Sequence, residues 1–126
     1  MQESGEMYLE TILILSGRQA LVRAIDVSDY MNYSKPSVSR ALGLLKQSGH
    51  ILVDSASGAI TLTKTGLERA NKIYERHTVL TRALEAIGVT PEVAEEDACK
   101  VEHYISDETF SAIRNHLDAF APKPEA

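Results

Sequence analysis

Apolar residues recur along this chain at helical spacing, broken at intervals by turn formers. Leu9, Ile12 and Leu13 stand at i, i+3 and i+4, which predicts a first helix over 4–16, stopped by Gly17. A short second helix is expected over 24–31, followed by Asn32, a residue that tolerates a left-handed turn. Ser34 then caps a third helix with Pro36 in its first turn, where a missing N–H costs little. That helix carries Val38, Ala41, Leu42 and Leu45 on one face and ends at Gly49. The pattern next changes to two β-prone runs, Ile51–Val53 and Ala59–Leu62, around the turn Asp54–Gly58, and predicts a hairpin. A long helix over 64–87 follows, closed by Gly88, with a seam of Leu67, Ala70, Tyr74, His77, Thr81 and Leu84. It would span about 36 Å. Thr90-Pro91 opens a fifth helix ending near Tyr104, and Ser106 caps a sixth running to about Ala119. Residues 121–126 read as a frayed end, and no internal repeat is present.

Helix, helix, turn, helix, hairpin is the order of a winged helix-turn-helix. The fold class is therefore mainly α: three helices and a β-hairpin wing, then further helices. On the third helix, Pro36, Arg40, Gly43 and Gln47 lie opposite Val38 and Leu42, with Ser37 and Ser39 beside them. Such a polar, partly basic face suits the major groove. Arg40 can donate two bonds to a guanine edge or bind phosphate. Ser34 and Lys35 sit at the helix N-terminus, where backbone N–H groups favour phosphate. The candidate DNA-binding residues are thus Ser34, Lys35, Pro36, Ser37, Ser39 and Arg40, with the hairpin tip lying along the duplex.

Charge sharpens this picture. Residues 1–76 carry nine Lys/Arg against eight Asp/Glu, while residues 77–126 carry four against ten. Between Tyr30 and Val53 there are Lys35, Arg40 and Lys46 and no acid, so an acidic protein keeps one locally positive face. The acidic second half suits cations. With 44% apolar and 25% charged residues, a largely disordered chain is excluded. No apolar run approaches the roughly 20 residues of a membrane span. A start lacking basic residues and a single cysteine, Cys99, lead to the expectation of a cytoplasmic protein without membrane association or internal disulfides.

Cys99, Glu102 and His103 stand at i, i+3 and i+4 on the fifth helix, opposite an expected buried face of Ala94, Ala98, Val101 and Ile105. Thiolate, carboxylate and imidazole on one face make a transition-metal half-site. Met7 and Glu10, one turn apart on the first helix, and His77, in the seam of the long helix, are further candidate ligands. Each also has a plain reading, as a packing methionine, a core histidine or a small core cysteine. Two other chemistries fit the same residues: a metalloenzyme with Glu102 and His103 activating water, and a winged-helix redox sensor oxidised at Cys99. No substrate pocket or oxyanion device for a small organic substrate is evident, which disfavours an enzyme.

Four segments carry a resemblance. Gly5–Ile12, Ser34–Ser39, Leu62–Gly66 and above all Asp97–Glu108, with its Cys-x-x-Glu-His followed by Ser-Asp-Glu, resemble the diphtheria toxin repressor family of metal-dependent transcriptional repressors. The resemblance covers nearly the whole chain. It implies a homodimer binding a palindromic DNA operator, with a winged helix over 1–72, a helical metal-binding and dimerisation domain over 73–121, and a flexible tail over 122–126. It also implies that Met7, Glu10, His77, Cys99, Glu102 and His103 converge on a corepressor metal. Iron-responsive members share Met7, His77 and Cys99, whereas manganese-responsive members share Glu10 and have acidic residues at the positions of Met7 and Cys99. Glu95 stands where the iron type has a second histidine, and Thr81 lacks a carboxylate common in the family. In length the chain resembles the short type without an SH3-like third domain. Thioether and thiolate favour Fe(II) over Mn(II), with Co(II), Ni(II) or Zn(II) binding in vitro. A metal joining ligands from both halves would set the spacing of two recognition helices, to match half-sites about 34 Å apart. Coupling of about 1–3 kcal/mol between metal and DNA would tighten binding roughly 5- to 150-fold.

Overall fold

Helix α1 (Glu3–Ser16) turns Tyr8, Leu9, Ile12 and Leu15 inward. Helices α2 (Ala24–Met31) and α3 (Lys35–Gln47) pack against it and add Val27, Val38, Leu42 and Leu45. Strands β1 (Ile51–Val53) and β2 (Ile60–Leu62) pair antiparallel with Leu52 opposite Thr61, and their alternation sends Ile51 and Ile60 into the same core. This computed structural model describes residues 3–120, so the expected tail at 121–126, including the segment 122–126, lies outside the described residues.

The remaining elements are α4 (Lys64–Ala86), α5 (Pro91–Val101) and α6 (Asp107–Phe120). The chain divides into two compact units, Met1–Lys72 and Ile73–Ala126, and the boundary falls inside α4. The first unit is a winged helix-turn-helix; among the described residues the regular elements of the second are all helices. In the second unit Val79, Phe110 and Leu117 form a core with Ile105 and Ile113 around it.

Local chemistry explains most boundaries. Asn32 takes φ +57° after α2, Ser34 Oγ accepts the Ser37 N–H at the start of α3, and Ser106 Oγ accepts the Thr109 N–H at the start of α6. Gly66 is required by close approach: a Cβ there would lie 1.9 Å from the His50 carbonyl oxygen, where the hairpin meets α4.

Two expectations need correction. The fifth helix ends at Val101, so Glu102 is its C-cap and His103 lies in the following turn. The chain tightens after Val101, the Tyr104 amide reaching back only three residues to the Val101 carbonyl, and Arg76 Nη1 donates to the Glu102 and Ile105 carbonyls of the turn that follows. Val101 is consequently 40% exposed and Ile105 half-buried, while Ala94 and Ala98 are buried as the spacing indicates. The straight seam on the long helix is also displaced. Leu67 and Tyr74 are exposed, and the buried positions are Ala70, Ile73, Arg76, Val79 and Leu80. Ala70 serves the first unit's core and Val79 the second's, so no single face is covered along the whole helix.

Candidate functional site

The helix-turn-helix surface is built from short-range bonds. Ser28 Oγ donates to the Tyr33 carbonyl at 2.7 Å, closing the turn between α2 and α3. Ser34 Oγ also donates to the Ser37 hydroxyl oxygen at 2.9 Å. With Val38, Leu42 and Leu45 holding α3 in the core, its other face is open: Ser34, Lys35, Pro36, Ser37, Ser39 and Arg40 are all exposed, as are Gly43 and Gln47. Lys46 adds positive charge to the last turn.

The wing is tied to this element by a residue the sequence reading passed over. Arg23 Nε donates to the Ser57 carbonyl at 2.9 Å, while the Arg23 amide is received by Asp26 at the start of α2. The Ile60 amide bonds the Val22 carbonyl at 2.7 Å. Asp54 accepts both the Ser57 amide and hydroxyl at 2.7 Å, and these bonds hold its carboxyl below the ordinary carboxylate range. An arginine between a buried valine and a helix start is the only signal that Arg23 offered.

In the second unit three expected ligands come together. Glu102 is fully buried. Its Oε2 lies 2.9 Å from His77 Nδ1 and its Oε1 lies 3.3 Å from His103 Nε2. His77 comes from α4 and the other two from the end of α5, so the turn that ends α5 is what aims them at one point. Cys99, half-buried, sits in the last turn of α5, three residues before Glu102. Met7 and Glu10 lie one turn apart on α1 in the first unit, Met7 half-buried and Glu10 buried.

The electrostatics of Glu102 suit a cation. Burial alone pushes its carboxyl up, but the adjacent His103 and His77 imidazoles outweigh burial and hold it below the ordinary value. The contact at Oε1 is long for so buried an oxygen, which leaves it able to accept a cation. A carboxylate and two imidazoles gathered in a buried position, with a thiol one turn away, match the donor preferences of a divalent transition ion.

Arg76, which the sequence reading also missed, lies beside this cluster. It is buried on α4, binds the Glu102 and Ile105 carbonyls at 3.2 and 2.9 Å, and pairs with Asp107 at the start of α6. Its guanidinium lies 5.4 Å from the Phe110 ring centre. The available signal was an arginine within the apolar stripe Ile73, Val79, Leu80.

A third feature of the second unit is an open apolar groove of about 620 Å³. Leu80, Leu84, Ile87, Ile113, Leu117 and Phe120 are among its lining residues, and Ile87 and Phe120 are 79% and 75% exposed.

Comparison with known proteins agrees with this division. Residues 1–59 match the iron dependent repressor N-terminal DNA binding domain, and residues 63–126 match the iron dependent repressor metal binding and dimerisation domain. An HTH-type transcriptional regulator of Methanocaldococcus jannaschii is 30% identical over 125 residues, 98% of this chain and 99% of that protein. The transcriptional regulator MntR of Escherichia coli O6:H1 is 34% identical over 107 residues, 85% of this chain and 68% of that protein. Among solved structures, the manganese regulator SloR superposes with a TM-score of 0.80 at 27% identity, over 90% of this chain and 53% of that one. The chain thus spans about half the length of SloR.

Proposed function

Because this chain belongs to the iron dependent repressor family, we propose that it represses transcription as a homodimer on a palindromic operator, with Fe(II) as corepressor. The family is one of metal-dependent DNA-binding transcriptional regulators and not of enzymes. The observation that carries the metal reading is the buried Glu102 carboxylate between His77 and His103.

In this reading His77, Cys99, Glu102 and His103 hold the ion, and Met7 and Glu10 are the ligands contributed by α1. When bound, the ion supplies positive charge that neutralises carboxylates which would otherwise repel one another and the DNA. Thiolate and thioether favour Fe(II). A second reading, Mn(II), is favoured by the carboxylates Glu10 and Glu102 together with the similarity to SloR, a manganese regulator.

On the DNA side, Lys35 and the open N-terminal turn of α3 take phosphate, and Arg40 reads a base edge or a phosphate. Arg23 keeps the wing in place beside them. The apolar groove of the second unit is the face on which a second copy sits, since a patch of this kind is costly to leave in water.

Anaerobic retention of the host's genomic fragments at fixed salt tests the whole reading. Fragments held with Fe(II) and released by EDTA are expected, and sequencing them gives the operator. Retention with Mn(II) alone would assign manganese, and equal retention in EDTA would remove the corepressor role.

A further inference from the structure

One turn of α4 grips Glu102 twice: Arg76 holds its main-chain carbonyl at 3.2 Å while the next residue, His77, meets its carboxylate at 2.9 Å. We propose that Arg76 is a positioning residue for the metal centre, fixing the turn 102–107 so that Glu102 and His103 present their donor atoms to one ion. This rests on the metal reading above and adds to it a residue that touches no metal.

Three observations support it. First, Arg76 binds the turn that follows α5: it takes the Glu102 and Ile105 carbonyls on either side of His103, whose Nε2 lies 3.3 Å from the Glu102 carboxylate. Secondly, the guanidinium is held from the other side as well, by the Asp107 carboxylate and by the Phe110 ring at 5.4 Å. Its planar fork serves carbonyls and carboxylate at once, which an ammonium on a flexible stem does not reproduce. Thirdly, Arg76 is 8% exposed, and burying a guanidinium is costly unless its geometry is put to use. Its neighbour Arg114 supplies an internal comparison. Arg114 lies over the same Phe110 ring at 5.4 Å and pairs with Glu75 at 2.8 Å, but its hydrogen bond goes to that exposed glutamate and not to the turn.

The experiment is Co(II) titration of the full chain, followed by visible absorption, with thermal unfolding of the metal-free protein in parallel. Arg76→Lys and Arg76→Gln are expected to weaken Co(II) binding about 10- to 100-fold, the usual effect of losing a residue that orients metal ligands. They should also alter the Co(II) absorption bands, because ligand geometry changes. Arg114→Gln is expected to leave affinity and spectrum at the parent's values. Asp107→Asn, at a side chain 75% exposed, should lose some stability but remain folded, and bind Co(II) more weakly. It decides the matter if the Arg76 variants do not fold. Parental affinity and spectrum in the folded Arg76 variants, or in Asp107→Asn when those variants do not fold, would overturn the proposal, as would an equal loss in Arg114→Gln. Failure of the parent itself to bind Co(II) would overturn the metal reading and this proposal with it.

Discussion

Single residues carry constraints of different kinds. Gly66 is one of space: a methyl group there meets the His50 carbonyl, which is backbone and cannot swing aside. Gly66→Ala should therefore destabilise the first unit by about 1–3 kcal/mol, read from denaturant midpoints. His50 carries a constraint of charge. Burial and the Arg69 guanidinium push its imidazole below the ordinary 6.5, so the fold favours the neutral ring. Its contribution is present above that value and is lost as pH falls through the lowered value. Between pH 7.5 and 5 the parent should lose more stability than His50→Gln, measured by denaturation at both pH values. Cys99 carries a constraint of chemistry. Cys99→Ala is expected to retain parental unfolding behaviour while its Fe(II) affinity falls at least tenfold, and a parental Fe(II) titration would remove Cys99 from the ligand set. Residues of this kind were unequally legible. Cys99, Glu102 and His103 stood out as candidate ligands by type and spacing, although the helix expected to carry all three ends at Val101. Arg76 and Arg23 could not, since each acts on main-chain carbonyls that only the folded chain brings near.

Elements were legible where their ends depend on neighbours in sequence. Ser34, Ser106 and Asn32 mark helix boundaries through bonds or backbone angles within a few residues, and these boundaries could be read directly. Ser34→Ala should cost about 0.5–2 kcal/mol by leaving the Ser37 amide without its cap, measurable by thermal or denaturant unfolding. The end of α5 was legible only approximately, because the turn that follows it is held in part by Arg76, 26 residues away in sequence. The hydrophobic period of α4 was likewise misleading, since one helix serves two cores and its covered positions change along its length. The hairpin register followed from alternation, with Ile51 and Ile60 inward.

The molecule as a whole joins a unit with a locally basic helix to one whose net charge is acidic and whose open groove is apolar. Ile87 is the most direct handle on that groove, being 79% exposed and therefore dispensable to the fold of one chain. Ile87→Glu should leave secondary structure and melting of the monomer unchanged, shift sedimentation towards a single copy, and weaken operator binding. A dimer of parental stability would place the interface elsewhere.

The boundary between the units lies within α4, at Lys72–Ile73, with no loop there to absorb a change of length. Exchange of units between relatives must therefore be done in phase. A splice that adds one residue at this point turns everything downstream by about 100° and advances it about 1.5 Å. Recombinants joined at equivalent helical positions should assemble into working hybrids, while those joined one residue out should contain two sound halves that do not cooperate.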